Sequence, residues 1–229
     1  MRRSSVLILL LFLLFTVVSS VAQQDYVSRY DAFAGYSFLS SPKLNLFERG
    51  FNGQFGVNVR RWVAIGGDFS VFTGHSTLFP DELAPAQQAK LAPVAPLLPP
   101  GFLLAVPYDS TTYTFTAGPQ LALRKFKWIT LFAHPSIGGL HESVTAKPNN
   151  AILTQIVTQI IGPSQQTSDT VLFYGFGGGF DINTSKHVAL RLQSDFVHVN
   201  LFSGLLNGGR NSVRFSAGPT FRFGKNIAK

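Results

Sequence analysis

Cysteine is absent from the 229-residue chain, and methionine occurs once. The first absence excludes a disulfide scaffold, a thiolate metal site and cysteine catalysis. Charge is scarce as well: Asp, Glu, Lys and Arg together make up 13% of the residues, about half the ~25% of an ordinary soluble domain. Disorder is excluded on the opposite ground, since 45% of the residues are hydrophobic and 13% aromatic. No basic run carries interleaved aromatics, so nucleic acid is not an expected partner. His75, His134, His141, His187 and His198 are scattered, without a His-x3-His spacing or a carboxylate cluster. No metal or cofactor site is therefore expected. After Gln23 no apolar stretch approaches the ~20 residues of a spanning helix.

What is present begins with an address. Arg2 and Arg3 precede an apolar run from Val6 to Val18, and Ser20-Val21-Ala22 supply small residues before Gln23. That order predicts a signal peptide over 1–22, cleaved near Ala22, with residues 23–229 as the mature chain. Losing two arginines leaves 17 basic against 11 acidic side chains, a net +6.

The mature chain repeats one pattern: apolar and polar or small residues alternate over about ten positions, the period of a strand with two unlike faces. Strands are predicted at about 30–39, 51–60, 62–73, 110–124, 128–140, 170–182, 187–199 and 212–223. In the fourth, Tyr113, Phe115, Ala117, Pro119, Leu121 and Leu123 face one way; Thr112, Thr114, Thr116, Gly118, Gln120 and Arg124 face the other. Connections alternate strictly between short joints, at Arg60-Arg61, Arg124 to Lys127 and Asn183 to Lys186, and long ones. One face of the set carries no charge. The other carries Asp31, Arg60, Asp68, Arg124, Asp181, Arg191, Asp195, Arg214 and Arg222. An uncharged face of that extent suits hydrocarbon and not water. The expected fold is all-β: an eight-stranded antiparallel up-and-down transmembrane β-barrel with short periplasmic turns and long external loops.

Three runs carry a family resemblance: Asp31 to Phe38, Lys186 to Leu192, and Arg214 to Phe223. Over about residues 26–224 the chain resembles the small eight-stranded outer-membrane β-barrel family, the OmpA/OmpX-type transmembrane domain. In the last run, Phe215, Phe221 and Phe223 are similar to the assembly signal of that family, although Gly224 to Lys229 extend beyond it. The resemblance implies a Gram-negative-type outer membrane as location. It implies outer-membrane lipid and lipopolysaccharide as surroundings, and barrel-assembly machinery as a partner during insertion.

An eight-stranded lumen is just filled by side chains, so the nine inward charges are expected to pair as a closed network, with His134 as a further member. The alternative is a narrow anion-permeable pore lined by the arginines. Seven of the 13 prolines lie between Gly74 and Asp109, which predicts a stiff extended loop. In the next long connection, Ile152, Ile156 and Ile160, with Leu153, Val157 and Ile161, repeat at helical spacing. Asn149 or Asn150 caps that helix and Gly162-Pro163 stops it; its apolar face is expected to pack on the barrel mouth or to meet a partner.

Catalysis is not expected. Phe196-Val197-His198-Val199-Asn200 resembles the His-x-Ser-Asn stretch of the lipid A 3-O-deacylases, but Asn200 stands where the serine belongs and no carboxylate follows. A histidine without a hydroxyl or an orienting acid does not make a relay. His187, Trp62 and Trp128 each follow a basic residue after a short turn, as an interfacial girdle would. The expected role is structural or adhesive, exercised toward an unknown ligand through the long loops.

Overall fold

A tight joint and a two-faced strand together form a hairpin, and seven successive joints bring the last strand back to the first. The computed structural model describes residues 24–228 apart from Ala95 and Leu97; the predicted signal peptide lies outside these. Eight strands form one closed antiparallel barrel in sequence order. They are β1 (Ser28–Ser41), β2 (Leu46–Arg60), β3 (Val63–Leu78), β4 (Val106–Leu123), β5 (Ile129–Ala146), β6 (Gln166–Asn183), β7 (Val188–Val199) and β8 (Arg210–Asn226). Closure comes from β8 against β1, where Phe223 pairs with Tyr30 and Phe215 with Phe38. With no free edge, every strand finds ladder partners on both sides, the condition for backbone in hydrocarbon.

The two faces separate as the alternation requires. Phe51, Ile65, Phe69, Phe115, Ile137, Phe176 and Phe196 are exposed around the outside, and Leu172 reaches 80% exposure. Such a continuous apolar belt has no counterpart on a soluble monomer. Inward positions hold the charges together with Phe33, Phe72, Phe132 and Phe173, all buried. Among the described residues no helix is long and apolar enough to cross a membrane, so any crossing falls to the strands.

Most strands outrun their predicted ends toward the long loops. β6 begins at Gln166 instead of 170, β5 reaches Ala146 instead of 140, and β2 starts at Leu46 instead of 51. Inward parity continues through these extensions, but the outward residues become polar (Arg49, His141, Ser168). A search for alternating hydrophobicity stops there, whereas the hydrogen-bonded ladder does not.

The long connections are structured. A 3-10 turn (Pro42–Leu44) joins β1 to β2; a 3-10 turn (Pro80–Glu82) and helix α1 (Pro85–Leu91) lie between β3 and β4. Helix α2 (Ala151–Ile161) lies between β5 and β6, as its periodicity predicts. Asn150 caps it, its Oδ1 accepting from Leu153 N at 2.9 Å, and Gly162 at φ 94° ends it. The β3–β4 and β7–β8 loops are stitched together across the mouth. Ala84 N donates to Leu205 O at 2.8 Å and Asn207 N to Glu82 O at 2.9 Å, flanking a Leu83–Leu206 bridge.

The tripeptide Ala-Gly-Pro recurs at 117–119 and 217–219, in strands on opposite sides of the closed order. At both places one ladder is interrupted. β4–β5 pairing passes from Ala117–Ile137 to Leu121–Ala133, and β1–β8 pairing passes from Phe33–Thr220 to Tyr36–Ala217. Proline has no N–H to give, so it sits where no ladder bond is asked of it on that side. The preceding glycine lets the neighbouring backbone close in: a Cβ on Gly118 would lie 2.3 Å from Pro135 O, and one on Gly218 2.3 Å from Ala34 O. Gly218→Ala must therefore push β1 and β8 apart at the closing seam. The expected cost is about 1–3 kcal/mol, read as a lower urea midpoint of the refolded barrel, with Gly139→Ala, where a Cβ meets nothing within 4 Å, unchanged.

Candidate functional site

Two places concentrate polar chemistry: the lumen and the mouth beneath the long loops. The lumen follows from parity. Residues two apart on β8 (Arg210, Ser212, Arg214, Ser216) point inward, and their counterparts on the other strands meet them in tiers.

In the middle tier Arg214 spans the bore. Its Nε donates to Asp195 Oδ2 on β7 at 2.7 Å, and its two terminal nitrogens donate to the carboxylate oxygens of Asp68 on β3 at 2.9 Å. Thr116 Oγ1 donates to Asp68 at 2.7 Å, and His134 Nε2 lies 3.1 Å from Asp195 Oδ1. Nearer the short turns, Arg191 forks onto Asp181 at 2.7 and 3.1 Å, and Arg222 reaches the same carboxylate at 2.8 Å. Asp31 lies 3.7 Å from Arg124 and 3.9 Å from Arg222, and it accepts from Asn58 at 2.6 Å and Ser28 at 2.7 Å. The guanidinium of Arg191 lies 4.4 Å from the Phe132 ring centroid. Gln54 joins the tiers across the bore, accepting from Arg191 at 3.0 Å and donating to Gln193 at 3.0 Å. Gln24 seals the short-turn end by donating to Thr130 Oγ1 at 2.8 Å and Phe126 O at 2.9 Å.

Eight of the nine predicted lumen charges thus converge: Asp31, Asp68, Arg124, Asp181, Arg191, Asp195, Arg214 and Arg222 are all buried. Arg60 is corrected. A bulge between Asn58 and Arg60 in the β2–β3 ladder inserts one residue and breaks the parity. Asn58 fills the inward position, its Oδ1 accepting from Arg124 at 3.0 Å, while Arg60 is exposed at the rim.

Sequence reasoning missed a third tier at the long-loop end. Glu48 is fully buried and accepts from Ser110 and Thr112 at 2.8 Å each; Glu142 pairs with Arg210. All three charges lie beyond the predicted strand ends. Continuing the inward parity, from Arg214 to Arg210 and from Leu140 to Glu142, would have found them. Between this tier and Arg214 lies an apolar layer containing Leu39, Phe72, Leu140 and Phe173.

Of the predicted helix face, Ile156 is buried, and it lines the apolar cavity under the cap with Ile160; Ile152 is half-buried. Phe215, Phe221 and Phe223 lie exposed on the outer face of β8. His198 pairs with Asn211 Oδ1 at 2.6 Å and faces Tyr174 at 5.5 Å, so its contacts are an amide and a ring, not a carboxylate. Among the described residues no cluster of His, Asp and Glu could hold a metal.

The closed barrel has counterparts among solved structures. The outer membrane protein OprG from Pseudomonas aeruginosa matches with a TM-score of 0.53 at 9% identity, over 89% of this chain and 100% of that one. Neisserial surface protein A (NspA) matches with a TM-score of 0.51 at 13% identity, over 85% of this chain and 96% of that one. The fold is that of the small eight-stranded outer-membrane barrels. No protein-family model and no curated protein matches the chain.

Within this barrel the Arg214 tier is costly to disturb, because removing one partner leaves buried charges uncompensated. Arg214→Met strands Asp68 and Asp195, and the expected loss is about 3–5 kcal/mol in urea unfolding from lipid vesicles. Adding Asp68→Asn and Asp195→Asn to the same chain should recover most of it.

Proposed function

We propose that the chain is an outer-membrane protein that does not conduct and acts through the cap formed by its long loops, in a structural or adhesive role. The observation that carries this reading is the division of labour along the barrel axis. An uncharged belt encircles the strands, ion pairs tie opposite walls of the lumen together, and only the long connections fold into a surface of their own. The alternating short and long connections support periplasmic turns and external loops. Trp62 and Trp128, exposed beside the short turns, support an interfacial girdle at that end. In this reading the leader is cleaved near Ala22, the barrel-assembly machinery inserts the chain with help from Phe215, Phe221 and Phe223, and lipopolysaccharide surrounds the loop end.

Conduction by the inward arginines is disfavoured because their charge is spent. Arg214, Arg191 and Arg222 each meet a carboxylate within 3.1 Å, and freeing one for a passing anion would strand its partner. A hydrolytic role for His198 is disfavoured by its amide partner.

Because the chain has no cysteine, single-cysteine labelling tests the orientation. Lys90→Cys, in α1, should react with a membrane-impermeant maleimide on intact cells; Lys125→Cys, in a short turn, should react only after the outer membrane is permeabilised. The reverse pattern would overturn the assignment of the loops. In a planar bilayer the purified barrel should show no stable steps; salt-dependent, anion-selective conductance would sink the closed-lumen reading.

A further inference from the structure

The charge that does not cancel within this molecule is collected at one end. Inside the barrel, arginines and carboxylates nearly balance. Around the loop end, Lys43, Arg49, Lys90 and Lys147 stand against Asp81, Glu82, Asp109 and Asp169. The short-turn rim is different. Arg29 and Lys225 mark the seam of β1 with β8, Arg60 and Arg61 the β2–β3 turn, Lys125 and Lys127 the β4–β5 turn, and Lys186 the β6–β7 turn. Every corner of this rim thus carries a basic side chain. Outside the lumen, Asp25 is the one acid there among the described residues. A ring of one sign gives that end a positive potential which attracts anions.

The rim adjoins the apolar belt. Trp128 is 66% exposed, and Ile129, Ile182 and Val188, the outward residues at the short-turn ends of β5, β6 and β7, are exposed as well. Lys127 Nζ lies 5.8 Å from the Trp128 ring centroid, so an ammonium is held at the depth where an indole settles among headgroups. Beside it opens a cleft of about 310 Å³, whose walls include Asp25, Tyr26, Lys127, Trp128, Ser185 and Lys186. That is the size of a small-ligand site, ~300–1,000 Å³. Its N-terminal wall is fixed in place. Tyr26 meets the His187 ring edge-on at 5.3 Å and donates through its hydroxyl to Gly224 O at 3.1 Å, and Asn226 Nδ2 donates to Asp25 O at 2.9 Å. Ser185 Oγ accepts from His187 N and Val188 N at 3.2 and 3.0 Å, which leaves its O–H to donate. Arg222 also lines the cleft, with its guanidinium committed to Asn183 and Asp181.

We propose that this cleft binds the headgroup of an anionic phospholipid, a singly charged phosphodiester with a hydroxylated head of the phosphatidylglycerol type. The phosphate oxygens accept from Lys127, Lys186 and Ser185, the headgroup hydroxyls donate to the Asp25 carboxylate, and the acyl chains lie on the belt beside Trp128 and Ile129. A free anion satisfies only the lysines, whereas a lipid satisfies the lysines and the hydrocarbon next to them. Asp25 sets the charge class, since a second negative charge on the head would be repelled by it. The inference concerns the end of the barrel away from the proposed working surface. It requires strands that cross a bilayer and holds whichever way the barrel faces in the cell.

Tryptophan quenching provides the test. The chain has two tryptophans, so Trp62→Phe leaves Trp128 alone beside the cleft. The purified single-tryptophan barrel is refolded into phosphatidylcholine vesicles containing graded amounts of phosphatidylglycerol brominated near the glycerol end of its chains. The same series with brominated phosphatidylcholine is the reference. Stronger quenching by the brominated phosphatidylglycerol is expected at low salt, equivalent to about fivefold enrichment at Trp128, the effect of roughly one basic group at a charged lipid surface. It should fall toward parity at about 0.5 M salt. Lys127→Gln with Lys186→Gln should abolish the enrichment while leaving the heat-resistant gel mobility of the barrel intact. Lys90→Gln with Lys147→Gln, which removes the same charge from the loop end, should leave the enrichment in place. Parity of the two lipids at low salt would overturn the proposal, as would equal losses from the two charge-matched pairs. Relief of the quenching by millimolar glycerol 3-phosphate would also overturn it, because the occupant would then be a soluble phosphate ester.

Discussion

The interior of an eight-stranded barrel is too narrow to keep buried charges hydrated, so inward charges must be met by counter-charges or hydrogen-bond donors on other strands. This constraint organises the rest of the molecule. Arg214 on β8 meets Asp195 on the adjacent strand and Asp68 on β3 across the bore, and Gln54 on β2 reaches Arg191 and Gln193 on β7. The ladder hydrogen bonds make a ring of neighbours; these side-chain bonds join walls that the ladder leaves unconnected. They fix the register of distant strands, because a one-residue slip would turn the arginine outward into the apolar belt.

The same constraint sorts the chemistry along the barrel axis. Where the outer face is hydrocarbon, the inner face carries salt-bridged tiers and the strands behave as the alternation dictates. Past the belt, the strands continue as a polar-faced collar, and the lumen there holds apolar side chains above and below the Glu48, Glu142 and Arg210 tier. The collar gives the loops something to pack on: α2 turns Leu153, Ile156 and Val157 inward, and the β3–β4 loop is pinned to the β7–β8 loop by backbone bonds. Two loops bonded to each other have less conformational freedom than free ones would.

Reading from the sequence succeeded where the two faces differ most. The eight strands, α2 and its cap, and eight of the nine lumen charges were legible because a charge opposite a run of Phe, Leu and Ile leaves only one side for each to occupy. Arg60 misled because a bulge adds a residue that no period announces. Glu48, Glu142 and Arg210 escaped because their strands stop looking amphipathic once the outward partners, such as Arg49 and His141, become polar. The repeated Ala-Gly-Pro could be seen but not understood until both copies were found beside an interrupted ladder.

Composition and period by themselves determined that this chain is a closed ribbon of eight strands with a greasy outside and an ionised inside, since alternation in steps of two is a local property written residue by residue. Which aspartate receives which arginine, that the bore is bridged from wall to wall, and that the long loops meet over an apolar chamber were decided only by tertiary structure. Those contacts join residues as far apart as Asp31 and Arg222, and their geometry depends on register, bulges and closure, none of which leaves a mark within any single strand.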